Sequence, residues 1–130
     1  FDTGSLLTVI PNRAFNLCSN LTEICIPFGV TRIGENAFYG ATSLQEVTFE
    51  GTEGANALTT IDKYAFTNCN QLTSFIVSEN MKTFGTQAFK GCTSLATVYN
   101  YSSLPFAQGS SAYGYIAFYA TEILVKSIDA

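Results

Sequence analysis

One pattern constrains this chain more than any other. An Ala-Phe pair recurs at Ala14-Phe15, Ala37-Phe38, Ala65-Phe66 and Ala88-Phe89, at spacings of 23, 28 and 23 residues. The flanking positions keep step. Four residues after each Ala stands a small residue (Cys18, Ala41, Cys69, Cys92), and seven after stands a leucine (Leu21, Leu44, Leu72, Leu95). Ten after come Ile24, Val47, Phe75 and Val98; four before come Ile10, Ile33, Ile61 and Phe84; seven before come Leu7, Val30, Leu58 and Met81. Self-similarity at a fixed period of this size marks a stacked-repeat architecture. The longer spacing reads as one insertion of five residues in "EGTEGANA", 50–57, a loop-like stretch.

A unit of 23 residues cannot bury its own apolar face, so it stacks on its neighbours. The Phe column then forms a continuous spine, each ring contributing roughly 1.5–3 kcal/mol by burial. Ala stands beside Phe because little room remains there. Gly34 and Gly85 are expected at a tight turn with positive φ, although Pro11 and Asp62 in the same column show that not every copy requires Gly there.

"LTEICI", 21–26, alternates as L-x-x-I-x-I, the period of a short strand with Ile24 and Ile26 inward. "LQEVTF", "LTSFIV" and "LATVYN" are its equivalents. Stacked in parallel they predict one narrow sheet, with turns or short helical pieces on the other side. The expected fold class is an α/β repeat solenoid, a short curved leucine-rich-repeat stack. Four copies span 7–101. Ala117-Phe118 lies 29 residues after Ala88-Phe89, so 102–130 reads as a degenerate repeat that closes the array. Tyr113 and Leu124 fall near the expected offsets, and the strand positions read Ser127 and Asp129. Alternatively, "EILVKSI" forms the last strand, out of register with the others.

The length of 130 residues fits a single domain, and 47% apolar against 12% charged residues allows a buried core. A net charge of −4 and scattered basic residues (Arg13, Arg32, Lys63, Lys82, Lys90, Lys126) argue against a nucleic-acid partner. No apolar run approaches the roughly 18–20 residues of a membrane span. The opening "FDTGSLL" lacks the basic start of a signal peptide, so a secreted parent would make this chain a mature fragment. There is no histidine, which removes the commonest general base and metal ligand and excludes Ser-His and Cys-His nucleophile pairs. No C-x-x-C spacing suggests zinc, and no cofactor is expected.

"IGENAFYGATSLQEVTF", "FGTQAFKGCTSLATVYN" and "AFNLCSNLTEICIP" resemble the BspA-like, or Treponema pallidum-type, leucine-rich repeats, whose pattern runs roughly I-G-x-x-A-F-x-x-C-x-x-L-x-x-I-x-I-P. The resemblance covers 7–101 well and the tail weakly. The closing proline is present only at Pro27; Glu50, Ser78 and Tyr101 replace it. The resemblance implies a secreted or cell-surface protein of a host-associated bacterium or mucosal protist, adhering to host matrix proteins, epithelia or other bacteria. It carries no catalytic residues.

The candidate partner-binding residues are the outward positions of the strand face: Glu23, Cys25, Glu46, Thr48, Ser74, Ile76, Thr97 and Tyr99. Glu23, Glu46 and nearby Glu50 make its first half acidic, which favours a basic partner; the bland alternative is a solvated sheet face. Cys18, Cys69 and Cys92 read as small buried residues of one core column, whereas Cys25 faces outward. Cys69 and Cys92 are close enough in the stack for a bridge to be considered. The aromatic tail (Tyr99, Tyr101, Phe106, Tyr113, Tyr115, Phe118, Tyr119) reads as a cap over the last repeat, the alternative being a binding surface. Phe28 is either an exposed contact or packed at the N-terminal edge. Asn20 and Asn100 head glycosylation sequons, which matter only in a eukaryotic secretory source.

The chain is thus expected to be one domain, 1–130, from a longer parent, because an uncapped leading repeat would expose apolar surface. The leading function is a non-catalytic protein-binding module, extracellular or on the cell surface, with a protein partner and neither nucleic acid nor membrane insertion. The alternative is a structural spacer or stalk that displays other domains.

Overall fold

The computed structural model of the chain describes residues 5–128, so the expected strand position Asp129 lies outside the described residues. Five four-residue strands, β2 (Glu23–Ile26), β4 (Glu46–Phe49), β6 (Ser74–Val77), β8 (Thr97–Asn100) and β9 (Glu122–Val125), alternate with four two-residue strands. The short ones are β1 (Val9–Ile10), β3 (Arg32–Ile33), β5 (Thr60–Ile61) and β7 (Thr83–Phe84). Every pairing is parallel. The chain winds as a β-solenoid whose coils follow the repeat read from the sequence.

The expectation of one sheet is corrected in two ways. First, the short strands form a second sheet, β1-β3-β5-β7, along one side of the stack. The column of Ile10, Ile33, Ile61 and Phe84, read as core, points inward from it. Second, the main strand face is divided into β2-β4 and β6-β8-β9. The division falls at the insertion, whose backbone bonds go elsewhere: Ala57 N–H to the Phe28 carbonyl at 3.2 Å, and Glu79 N–H to the Gly54 carbonyl at 2.8 Å. Side chains bridge what the ladder does not, with the Phe49 and Phe75 rings meeting edge-on at 5.9 Å.

The helical part of the α/β expectation is not met. Among the described residues there is no α-helix, only a single 3-10 turn at Tyr113–Tyr115. The reason is backbone geometry. The residue before each Ala has positive φ (Arg13 61°, Asn36 58°, Tyr64 61°, Gln87 53°), and so has the residue three after it (Leu17 59°, Gly40 68°, Asn68 65°, Gly91 83°). An α-helix cannot pass through left-handed residues at such intervals. Instead, successive coils are tied across the turns by bonds of 2.7 Å from the Phe15, Phe38, Phe66 and Phe89 amides to the Ala37, Ala65, Ala88 and Gly114 carbonyls. Gly34 and Gly85 do not have positive φ, contrary to expectation. They are sites of close approach: a Cβ would lie 2.6 Å from the Asn12 amide nitrogen at Gly34 and 2.1 Å from that of Lys63 at Gly85.

The Phe spine forms as read. Phe15, Phe38, Phe66 and Phe89 stack at centroid distances of 5.2, 4.9 and 5.0 Å, with planes within 11° of parallel. Phe75 meets Phe66 and Phe89 edge-on. Cys69 and Cys92 are buried free thiols in their column. Their Sγ atoms donate to the Phe38 and Phe66 carbonyls at 3.1 and 3.0 Å, so each thiol satisfies the coil above. Burial pushes the Cys69 thiol up to about 12 and the Cys92 thiol well above its ordinary value. Cys18, in the first coil, is only half-buried.

The tail is phased differently from the degenerate-repeat expectation; the alternative, a last strand within "EILVKSI", is met, but in register with its neighbour and not out of it. Phe118 is exposed, whereas Ile116 and Ala117 are buried. Ala117 occupies the Cys column: Ala120 N–H bonds its carbonyl just as Leu95 N–H bonds that of Cys92. The last strand is therefore Glu122–Val125, with Ser127 beyond it, and it pairs with β8 residue for residue from Thr97↔Glu122 to Asn100↔Val125. Phe106 and Tyr113 pack edge-on against Phe84 at 5.7 and 6.0 Å.

Candidate interaction face

Strand alternation turns two rows of side chains outward. In β2-β4 the parallel register pairs Glu23 with Glu46 and Cys25 with Thr48. In β6-β8-β9 it aligns Ser74, Thr97 and Glu122 in the first row, and Ile76, Tyr99 and Leu124 in the second. The inward partners (Val47, Phe75, Val98, with half-buried Ile24 and Ile123) fix this orientation by joining the core. Glu23, Cys25 and Glu46 are exposed; Thr48, Ser74, Ile76, Thr97 and Tyr99 are half-buried among their neighbours. All eight sequence-derived residues thus lie on one strand face, in two groups separated by the β4/β6 break. Glu122 and Leu124 extend the rows. They were missed because the tail was phased on Ala117-Phe118; the alternation in "EILV" was the available signal.

Glu23, Cys25, Glu46 and Thr48 border a cleft of about 430 Å³ whose apolar wall is Phe15, Leu21 and Ile24. Like charges paired directly across strands repel, and Glu23 and Glu46 are so paired. The ion pairs found among the described residues lie elsewhere. Arg32 Nε meets Asp62 Oδ2 at 2.5 Å and Lys63 meets Glu35 at 3.7 Å, beside the short-strand sheet and its turns. Lys90 lies 5.6 Å from the Tyr115 ring centroid, also on the turn side. On the strand face itself, Thr97 Oγ1 donates to Glu122 at 3.2 Å.

The tail aromatics divide. Phe106 and Tyr113 cover core, whereas Tyr115, Phe118 and Tyr119 form a chain of rings about the turn side, 5.1 and 5.0 Å apart. Tyr119 is tied down by the Gly91 N–H at 3.1 Å. Tyr101 packs under the insertion at Gly54, with burial and then Glu53 raising its phenol. Phe28 is exposed beside Gly51 and donates its N–H to Glu50 Oε1 at 3.1 Å. Of the two sequons, Asn20 is exposed, while Asn100 is buried with its amide bonded to the Leu104 carbonyl and to Ser102. Among the described residues no group of three or more His, Cys, Asp or Glu is placed to hold a metal, and no helix is long and apolar enough to cross a membrane. The arrangement offers noncovalent contact: charge at one end of the strand face, apolar surface at the other.

A family model described as the BspA type leucine rich repeat region matches residues 5–128 in six copies. No curated protein matches the chain. A leucine rich cell surface protein from Faecalibacterium prausnitzii has a similar structure, with a TM-score of 0.70 and 29% identity, over 95% of this chain and 33% of that one. A leucine-rich repeat protein from Bacteroides capillosus is similar at a TM-score of 0.59 and 29% identity, over 72% of this chain and 63% of that one. The T. pallidum leucine rich repeat protein shares the fold, with a TM-score of 0.54 and 20% identity over 93% of this chain and 67% of that one. Less than two thirds of the first two relatives is therefore matched.

Proposed function

Because the chain belongs to the BspA-type leucine-rich repeat family, whose repeats generally mediate protein–protein interaction, we propose that it is a non-catalytic binding module of a secreted or cell-surface protein. Its role in this reading is adhesion to host matrix or to other cells. The observation that carries the reading is the strand face: two outward rows held in register by a stacked core, with Glu23 and Glu46 left without a cationic partner in their own sheet. A face fixed in this way binds with little ordering cost. The cell-surface relative from F. prausnitzii supports the location. The tail from residue 102 serves as the closing repeat, which the packing of Phe106 and Tyr113 against Phe84 supports.

The test is solution binding of the purified domain to fibronectin, fibrinogen, mucin and a bacterial surface extract. A folded Ile76→Ser/Tyr99→Ala variant and a folded Phe118→Ala/Tyr119→Ala variant run alongside. Saturable binding lost in the first variant and kept in the second supports a site on the strand face. Loss only in the second moves the site to the tail. No binding to any of the four favours the spacer function.

A further inference from the structure

The two halves of the strand face differ in chemistry, and the difference specifies a partner. At one end stand two exposed carboxylates in directly paired positions, Glu23 and Glu46, against the apolar wall of Phe15, Leu21 and Ile24. At the other stand Ile76, Tyr99 and Leu124 in one row, Leu124 being 36% exposed. No lysine or arginine lies in β2, β4, β6, β8 or β9. The basic residues that do form ion pairs, Arg32 and Lys63, are engaged with Asp62 and Glu35 on the side sheet and its turns.

We propose that the strand face binds an extended polypeptide segment that presents arginine or lysine to Glu23 and Glu46, and aromatic or branched apolar residues to Ile76, Tyr99 and Leu124. This rests on the reading of the face as a protein-binding surface. A basic residue relieves the carboxylate repulsion. Dimensions set the segment's length. Hydrogen-bonded strands lie about 4.8 Å apart, so five strands with one unpaired step between β4 and β6 span at least roughly 19 Å, while an extended chain advances about 3.3 Å per residue. Six or seven residues therefore cross the face. Alternate ones point into it, with the basic and apolar contacts about four residues apart.

The test uses the labelled peptide acetyl-Arg-Thr-Arg-Thr-Phe-Thr-Val-amide and titrates it by fluorescence anisotropy with the intact domain. Controls are a peptide with both arginines replaced by glutamate and one with Phe and Val replaced by serine. The expected result is saturable binding of the first peptide, with both controls weaker. Affinity should fall roughly five- to twenty-fold in Glu23→Gln/Glu46→Gln, the loss of two exposed ion pairs. It should fall again at high salt. Equal binding of the charge-reversed peptide, no effect of the glutamine pair, or no binding at millimolar peptide overturns the proposal. If that happens while a protein of the panel still binds and is lost in Ile76→Ser/Tyr99→Ala, the face remains a binding surface and only its basic partner is wrong. If neither the peptide nor any panel protein binds, the protein-binding reading falls with it.

Discussion

At the scale of single residues, position in the coil decides consequence. Phe66 lies stacked between Phe38 and Phe89 and is fully buried. Phe66→Ala should cost about 3–5 kcal/mol, the range for emptying a large buried aromatic site, read from urea unfolding. Phe118 is 41% exposed and outside the spine, so Phe118→Ala should change stability by no more than about 1 kcal/mol. Equal losses at the two positions would contradict the stacking. Gly85→Ala should destabilise by about 1–3 kcal/mol through overpacking, because its Cβ meets the Lys63 backbone, which has no flexible end to move. The buried thiols make stability depend on alkaline pH. Cys69 ionises near 9.0 when unfolded but only at about 12 when folded. Below pH 9 both states hold the proton, so the contribution is fully present; it is lost as pH rises from 9 toward 12. The stability gap between wild type and Cys69→Ala should therefore narrow between pH 8 and pH 10.5. A gap that stays constant would place the thiol in a wetter setting.

At the scale of elements, the break between β4 and β6 is the distinctive feature. The amides of β4 and β6 that face the break should exchange with solvent faster than those β8 shares with both its neighbours, as hydrogen exchange with mass spectrometry would show. Uniform protection across all five long strands would mean that the ladder closes in solution. The repeat spacing, the inward columns and the spine were legible in the sequence because each rests on side-chain type at a fixed interval. The insertion at 50–57 was legible too, but its effect was not. A spacing of 28 says that residues were added, not which hydrogen bonds they divert. The turn side was illegible for a different reason. Arg13, Tyr64, Gln87 and Leu17 adopt positive φ through the tertiary fit of the coils, and nothing in those residue types announces it. The short-strand sheet was hidden because two-residue strands have no period to detect. The tail was misphased because Ala117-Phe118 copies the motif in letters, while Ala117 fills the Cys column and Phe118 faces out.

At the scale of the whole molecule, the proposed function turns on the strand face. In that proposal the stacked coils hold two rows of side chains on one strand face, and a protein partner meets them there. Eight of the ten positions in those rows followed from alternation in the first four copies; Glu122 and Leu124 required the strand register itself. The direct measurement is hydroxyl-radical footprinting of the domain with and without a bound protein from the panel. The account predicts that Ile76, Tyr99 and Leu124 lose reactivity on binding, while Tyr39 and Tyr64 on the turns and Phe118 in the tail keep theirs. Protection of Tyr39, Tyr64 or Phe118 with Ile76, Tyr99 and Leu124 unchanged would contradict it.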